Sequence, residues 1–408
     1  MSDTWYVGAT VVDGTGADPV ETDVHVVDGK VAALGKAPSG ADTVDLSGLT
    51  VTPGLIDGHV HLGLSSPIRA MLSHQISAAE IAADIFNTAR QMVQAGFTTV
   101  RDCGGIDGGV PAAINKGTTP GPRVIQCGPI QCQTGGHGHF ANEWEATSLW
   151  ETHHIPGLCG MARISDGPET MRRNIRETFR GGADFIKMCV SGGVISSHDK
   201  ISDTQFTVEE IAVAVQEASA RGTYVTVHSH NNDGIRNAVA GGVKCIEHAC
   251  ALDEETAQLM LANDVSHVPT LLTVKRLVED AVATGVEPEI RDRALVVQQG
   301  QINGVLVSRK VGVRMGLGSD LLGPDQHHRG EELFLRSELT TPMETLVSAT
   351  KVNSQILRIS DQVGTLEVGK VADLVAWNGN PLESPKLWME PDNAAVVVQS
   401  GRVAKDLR

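Results

Sequence analysis

The sequence predicts a (β/α)8 TIM-like barrel of the α/β class, with a small β-sandwich domain built from both ends of the chain. Through the middle of the chain, short apolar segments alternate with amphipathic ones, which is the pattern of a parallel sheet covered by helices. At both ends, short apolar runs are separated by turn residues, which is typical of antiparallel strands. Histidines recur at the ends of the middle segments, where such barrels carry their functional residues.

The two chain ends contain the same kind of short strand. Apolar runs stop at Asp-Gly pairs near the N-terminus and at Asn378-Gly379 near the C-terminus, and both pairs are strong hairpin signals. Each end alone has too few strands to bury a face, so one shared domain is favoured over two independent appendages. We therefore predict three segments: residues 1–52 and 361–408 for the β-sandwich and residues 53–360 for the barrel.

Eight apolar segments are the candidate barrel strands. They cover residues 55–62, 98–103, 123–128, 185–190, 224–230, 245–248, 265–271 and 314–320. Helical patterns at 77–95, 169–180, 208–221 and 233–240 lie between them, and each is followed by glycine, the expected residue just past a helix end.

Composition excludes several classes of function. The formal net charge of −16, with no basic cluster to offset it, disfavours binding to nucleic acid. No apolar run is long enough to span a membrane, and the N-terminus lacks the features of a signal peptide. The seven scattered cysteines argue for a reducing compartment. We expect a cytoplasmic protein that acts on a small-molecule substrate.

The central motif is the pair His59 and His61 at the end of the first barrel segment. Residues i and i+2 of a strand point to the same face, so the two imidazoles can chelate one metal ion. A lone His-x-His is a weak signal, but the later strand ends add Lys187, His228, His248 and Asp320.

Each of these later residues also has an ordinary structural explanation. His248 suits a core histidine, Lys187 a lysine that reaches the surface, and Asp320 a helix cap. Together, histidines and an aspartate in barrel order predict a site for a metal such as zinc. Lys187 fits that site only as an anion, which carboxylation by CO2 to a carbamate would make it.

These motifs resemble the amidohydrolase superfamily, and within it the imidazolonepropionase-related branch that includes Xaa-Pro, Xaa-Arg and Xaa-Lys dipeptidases. The resemblance covers nearly the whole chain. It rests on Pro53-Gly54-Leu55-Ile56-Asp57-Gly58-His59-Val60-His61, Gly135-Gly136-His137-Gly138, Lys187 with Ser191-Gly192-Gly193, Val227-His228, Glu247-His248-Ala249, Gly318-Ser319-Asp320 and residues 364–375.

The resemblance implies two divalent metal ions, with zinc as the expected metal. The ligands it assigns are His59, His61 and Asp320 for the more buried ion, His228 and His248 for the more exposed ion, and carboxylated Lys187 as the bridge. The implied reaction is hydrolysis of a C–N amide bond by a metal-bridging hydroxide, because bound cations lower the pKa of water toward neutrality. Asp320 would pass the water proton to the leaving amine. A dipeptide or an N-acyl amino acid is the favoured substrate.

Substrate contacts are predicted from the loops at the same barrel end. His137 lies in a family motif and is the candidate for binding a substrate oxygen, and His139 follows it. His230 shares a face with His228 by the two-residue rule, and His328 lies in the loop after the last strand. Members that cleave carboxyl-terminal residues carry tyrosine at the place of His230, and often aspartate at that of His139. Both departures bear on peptide specificity.

Two other interpretations stay open. The same site could hydrolyse a carbamate, a urea or a cyclic amide, or deaminate an aminated ring, although Lys187 argues against the usual mononuclear deaminase. A non-catalytic barrel scaffold belongs to another class of function, and the retention of all six ligands argues against it. Members of the family commonly assemble, so a homo-oligomer is expected.

Overall fold

The computed structural model describes residues 3–67, 70–71, 75–196, 198–279 and 288–408. Its strands are β1 (Asp3–Val7), β2 (Thr10–Val11), β3 (Val20–Glu21), β4 (Asp23–Val27), β5 (Lys30–Gly35), β6 (Thr43–Asp45), β7 (Thr50–Pro53), β8 (Leu55–Val60), β9 (Phe97–Asp102), β10 (Gly105–Ile106), β11 (Arg123–Gln126), β12 (Ile130–Cys132), β13 (Cys159–Gly160), β14 (Ala162–Ile164), β15 (Ile186–Cys189), β16 (Val225–Ser229), β17 (Cys245–His248), β18 (Ser266–Val268), β19 (Leu374–Trp377), β20 (Ala394–Gln399) and β21 (Arg402–Asp406).

The α-helices are α1 (Ala78–Gln94), α2 (Gly109–Asn115), α3 (Thr147–Trp150), α4 (Pro168–Arg180), α5 (Val208–Ser219), α6 (Asn232–Gly241), α7 (Glu254–Ala262), α8 (Leu271–Glu279), α9 (Pro288–Val311), α10 (Glu331–Ser337), α11 (Pro342–Val347) and α12 (Asn353–Ile356). Short 3-10 turns cover Leu62–Leu64, Glu151–His153, Pro385–Met389 and Pro391–Asn393, and a π-helical turn covers Ser348–Val352.

Parallel strands form the predicted (β/α)8 barrel. In ring order they are β8, β9, a third position shared by β11 and β12, then β15, β16, β17 and β18. β11 pairs with β9 on one side, and β12 continues the same position and pairs with β15 on the other. β8, β9, β15, β16, β17 and β18 are buried along their whole length, because helices cover the outside of the barrel.

The eighth position departs from the predicted strand at 314–320. It holds an isolated parallel bridge between His267 and Met315 instead of a regular strand. The backbone still closes the ring, since the Gly58 N–H donates to the Leu317 carbonyl and the Asp320 N–H donates to the His59 carbonyl, both at 2.8 Å. The remaining gap is filled by a side chain from α12.

Asn353 is that side chain. Its amide nitrogen donates to the carbonyls of Ile56 at 2.7 Å and Leu317 at 2.8 Å, and its amide oxygen accepts from the Leu317 N–H at 3.1 Å. A Cβ on Gly316 would lie 2.3 Å from the Asn353 oxygen, so only glycine admits this approach. Side-chain bonds therefore replace the missing ladder bonds at the seam.

Helix ends follow the signals in the sequence. Ser77 caps α1 by accepting from the Glu80 N–H, and Thr207 and Glu210 form a capping box at the start of α5. Gly96 and Gly242 have positive φ angles of 92° and 94° just beyond α1 and α6, where other residues would be strained. The predicted helix ends at 95, 180, 221 and 240 lie within two residues of those observed.

The β-sandwich combines strands from both ends of the chain. One sheet has the order β21-β20-β19-β7-β2-β3, in which β7 and β19 pair antiparallel, and the other has the order β5-β4-β1-β6. Apolar residues of both sheets, such as Tyr6, Val24 and Val396, pack into one core. The segment boundaries 1–52, 53–360 and 361–408 stay a prediction.

The cysteines form no disulfide bonds. All seven are free and buried. Burial also raises the pKa of thiols such as Cys103 and Cys245, which makes them poor nucleophiles at neutral pH. Among the described helices, none is long and apolar enough to cross a membrane.

We expect Asn353→Ala to lower the free energy of unfolding by about 3 kcal/mol, because it removes three buried hydrogen bonds to the backbone of the seam. Chemical denaturation measures the effect. The matched control is Asn87→Ala at an exposed position of α1, where a change within about 0.5 kcal/mol is expected. Equal effects at both positions would show that the seam does not depend on Asn353.

Candidate metal centre

A cavity opens at the carboxyl ends of the barrel strands. Eight of the residues predicted for the site line it: His59, His61, His137, Lys187, His228, His230, His248 and Asp320. Apolar side chains including Leu64, Ile130 and Met161 complete the wall. The structure therefore brings together residues from five different strand ends and one long loop.

Three ligand atoms converge at the end of β8. Nε2 of His59 lies 3.2 Å from Nε2 of His61, and Oδ1 of Asp320 lies 3.2 Å from the latter and 3.5 Å from the former. His248 joins this group, since one ligand atom each from His59, His248 and Asp320 lie within 4.8 Å of one another. Asp320 reaches the group with a φ of 52°, a backbone strain that functional sites often hold.

The second nitrogen of three of these imidazoles is already engaged. Nδ1–H of His59 donates to the Glu247 carboxylate at 2.8 Å, and Nδ1–H of His61 donates to the Gly104 carbonyl at 2.8 Å. Nε2–H of His228 donates to the Gly192 carbonyl at 3.1 Å. A neutral imidazole has one N–H, so the remaining nitrogen of each ring carries a lone pair. Outer acceptors of this kind are the rule around metal-binding histidines.

Electrostatics keep most of these rings neutral. Burial lowers the pKa of His59 to about 4, with a further contribution from the Lys187 ammonium. Burial together with the neighbouring histidines takes the pKa of His228 and His248 well below the usual value. Burial also lowers that of His61, but the Asp320 carboxylate outweighs it and raises the pKa overall. Unprotonated nitrogens beside a carboxylate are the donor set that a divalent cation requires, so the residues fit a metal.

Lys187 lies on β15 and is 2 % exposed. Within the described part of the chain, no carboxylate lies at ion-pair distance from its nitrogen. Lysines are rarely buried without a partner, because the ammonium loses its hydration. An unpaired lysine inside a cavity of metal-type ligands is the arrangement that a carbamate would relieve.

Glu247 and Arg101 form a buried ion pair beside His59 that the sequence analysis did not single out. Nη2 of Arg101 lies 2.7 and 2.9 Å from the two Glu247 oxygens, and Thr226 also donates to this carboxylate. Burial raises the pKa of Glu247, but Arg101 and His59 outweigh it and hold the carboxyl ionised. Both are charged residues within apolar strands, and this is the signal by which the sequence could have indicated them.

His137 is oriented by two residues of the loop after β15. The Ser196 hydroxyl donates to Asp199 at 2.5 Å, so the Ser196 oxygen accepts from Nδ1–H of His137 at 2.9 Å. The ring stacks on His228 at 4.2 Å, and a Cβ on Gly193 would lie 2.3 Å from it. Neutral His137 therefore offers a lone pair at Nε2. This lone pair can accept a hydrogen bond from an O–H or N–H group, but it cannot donate one to a carbonyl oxygen.

The remaining predicted contacts divide into two groups. His230 faces the site as the two-residue rule predicts, with its ring 4.6 Å from His228 and 5.2 Å from His248, and burial lowers its pKa to about 3. His139 and His328 are not brought to the cavity wall. His139 packs edge-on against Trp150 and accepts a hydrogen bond from the Gly135 N–H. These contacts stabilise the turn in which His139 lies.

His328 is held by the Pro385–Met389 turn and by its neighbour in the chain. Its Nδ1 lies 3.3 Å from the Met389 carbonyl, and its ring lies 3.9 Å from that of His327. The neighbouring Arg329 is buried and donates to the Asp57 carboxylate at 2.9 Å, so it supports the barrel rather than a substrate. The sequence could not show this, because loop conformation decides which way these side chains turn.

A parallel barrel with convergent histidines and an aspartate at its carboxyl end defines an enzyme of the barrel hydrolase class. Residues 50–404 match the amidohydrolase family, and the chain belongs to this family. It is a hydrolase that acts on carbon–nitrogen amide bonds.

Similar proteins include hydrolases of several amides. The chain is 30% identical to ochratoxinase from Aspergillus niger over 370 residues, covering 86% of this chain and 75% of that protein. The crystal structure of a prolidase complexed with N-methylphosphonate-L-proline superimposes with a TM-score of 0.93 at 34% identity, covering 99% and 100% of the two chains. That of a Xaa-Pro dipeptidase with bound methionine in the active site gives 0.88 at 29% identity, covering 98% and 99%.

We expect Glu247→Gln to weaken zinc binding roughly 10- to 100-fold, because the neutral amide orients His59 less firmly and leaves Arg101 without its counter-charge. Competition with a chromogenic chelator measures the affinity, and circular dichroism checks the fold. Glu217→Gln is the matched control, since Glu217 also pairs with arginines, Arg172 and Arg176, but on the outer helices. Equal zinc affinity in Glu247→Gln and the wild type would remove Glu247 from the support of the site.

Proposed function

We propose that this protein is a binuclear zinc-dependent amidohydrolase that cleaves the C–N amide bond of a dipeptide or an N-acyl amino acid. The observation that carries the proposal is the convergence of His59 Nε2, His61 Nε2 and Asp320 Oδ1 within 3.5 Å of one another. Lone pairs repel at this distance unless a cation or a proton lies between them. The proposed ligands are His59, His61 and Asp320 for one ion, His228 and His248 for the other, and carboxylated Lys187 as the bridge.

Lys187 supports two ions rather than one. Lys187 lines the same cavity as both histidine pairs, and a carbamate there would add one negative charge shared by two ligand oxygens. Two cations of charge +2 need more negative charge than the single Asp320 carboxylate supplies. A carbamate also removes a buried ammonium that opposes cation binding.

The chain's own residues handle protons and orientation. When bound, the ions would supply a water of lowered pKa and a polarised substrate carbonyl. Asp320 Oδ1 would accept the water proton and deliver it to the leaving nitrogen, for which it is held ionised: burial raises its pKa, but His59 and His61 lower it overall. His137 Nε2 would accept a hydrogen bond from the substrate. The apolar wall formed by Leu64, Ile130 and Met161 excludes bulk water.

His230 is the proposed partner of a substrate carboxylate. As a neutral ring it can donate one N–H, and its Nδ1 is buried without a hydrogen-bond partner among the described residues. A buried nitrogen of this kind favours a ligand that completes it. The similar prolidase and Xaa-Pro dipeptidase, both named for substrates with a free carboxylate, support this choice.

We further propose that the protein works in the cytoplasm on a small molecule, as a homo-oligomer and without nucleic acid or membrane partners. The seven buried free thiols support a reducing compartment. The net charge of −16 supports the exclusion of nucleic acid.

We expect the zinc-loaded protein to hydrolyse dipeptides or N-acyl amino acids in a screen that also contains carbamates, ureas, cyclic amides and aminated heterocycles. Asp320→Asn, screened in parallel, should lose at least 100-fold in turnover because its amide cannot accept the water proton. Turnover confined to carbamates, ureas or rings would assign the site to the alternative chemistry. Near-normal turnover in Asp320→Asn would show that Asp320 does not carry the proton.

We expect Lys187→Ala to lose at least one of two bound zinc ions and most activity, with partial recovery on addition of short carboxylic acids that replace the carbamate. Elemental analysis of the purified protein counts the ions. Lys244→Ala, an exchange of an exposed lysine on the outside of the barrel, should keep both. Two zinc ions per chain in Lys187→Ala would contradict the bridge.

A further inference from the structure

A second cavity lies against the metal cavity. Leu64 and Met161 line both of them. Leu64 lies in the turn that follows His61, and Met161 directly precedes β14, so two side chains of the active-site loops form the boundary between the cavities.

The walls of the second cavity are mainly apolar. They include Met71, Ile76, Ile81, Trp150, Ile155 and Cys159. The two histidines in its lining are engaged with carboxylates, His153 with Glu145 at 3.3 Å and His154 with Asp107 at 3.9 Å. Glu151 also lines the cavity, and it is exposed to solvent. A mainly apolar lining of this kind suits a hydrocarbon or aromatic group rather than an ion.

The ring order of the barrel relates this cavity to the polar part of the site. Leu64 follows β8, at the first ring position, whereas His230 follows β16, at the fifth. First and fifth positions of an eight-membered ring lie opposite each other across the metal cavity. A substrate whose carboxylate meets His230 would therefore direct its other end toward Leu64 and Met161.

We propose that the second cavity binds the acyl group of an N-acyl amino acid substrate. The inference rests on the proposed amide hydrolysis and narrows its substrate class to amino acids acylated with a large apolar group. The amide bond then lies over the metal ligands, between a polar subsite for the amino acid and an apolar subsite for the acyl chain. Met161 suits a boundary of this kind, because its flexible side chain adapts to different acyl groups.

The test is a series of N-acetyl, N-butyryl, N-hexanoyl and N-octanoyl derivatives of the amino acid that the hydrolysis screen ranks first, or of methionine if none is cleaved. We expect kcat/KM to rise about fourfold for each methylene that enters the cavity, until the cavity is full. Equal kcat/KM for all four derivatives would overturn the subsite and leave the amide hydrolysis standing.

Variants that fill the cavity test its location. Ile76→Trp and Ile155→Trp introduce bulk at half-buried positions on two separate segments of its wall. Each should lower the octanoyl-to-acetyl ratio of kcat/KM at least tenfold, whereas Val296→Trp on the exposed face of α9 should leave the ratio unchanged. If both variants lower the ratio, the cause is the filled cavity, because a disturbed segment would affect only one of them. A ratio that neither variant moves would overturn the assignment.

Calorimetric binding of the N-octanoyl and N-acetyl compounds to the zinc-loaded protein separates the two proposals. Tighter binding of the octanoyl compound without hydrolysis would support the subsite and contradict the amide hydrolysis. Equal affinity for both compounds, with or without hydrolysis, would overturn the subsite.

Discussion

One buried carboxylate, that of Glu247, joins four strands of the barrel. It is fully buried and contacts Arg101 on β9, His59 on β8 and Thr226 on β16, while it lies on β17 itself. A charge in this position loses its hydration, and only a close partner such as Arg101 offsets that cost. The pair is therefore both a structural cross-link inside the barrel and the group that holds His59 in one orientation. The geometry of the site depends on this ion pair, since His59 also contacts His61, Asp320 and His248.

From that orientation follows the electron-rich character of the cavity. The N–H groups of His59 and His61 point outward, so the lone pair of each ring points inward, toward Asp320. Burial depresses the pKa of His59, His228 and His248, so protons do not neutralise these lone pairs at neutral pH. The apolar wall also lowers the local dielectric constant, which strengthens the attraction of the cluster for a cation. The buried ion pair orients His59, and burial keeps the histidines neutral. Both effects leave nitrogen lone pairs available to a cation.

Polarity is divided across the cavity as well. His137 and His230, with the supporting pair Ser196 and Asp199, lie on the side of β15 and β16. Leu64, Ile130 and Met161 lie on the side of β8 and the third ring position. Val194 and Ile195 of the loop after β15 also line the cavity, so the asymmetry lies in the hydrogen-bonding groups rather than in the apolar ones.

Much of this protein was determined locally along the chain. Alternating apolar and amphipathic segments specify barrel strands and helices, glycine ends the helices, and residues two apart on a strand share a face, so His59 with His61 and His228 with His230 were predictable as pairs. The predicted contacts His139 and His328 do not line the cavity, because loop packing turns them away from it. The sequence also could not show that the eighth position lacks a regular strand, because Gly316 and Asn353 meet only once the barrel closes. The Glu247–Arg101 pair, the Asp199–Ser196–His137 chain and the second cavity all join residues distant in sequence. Spacing along a chain fixes the direction of a side chain, whereas only the closed fold determines which side chain it meets.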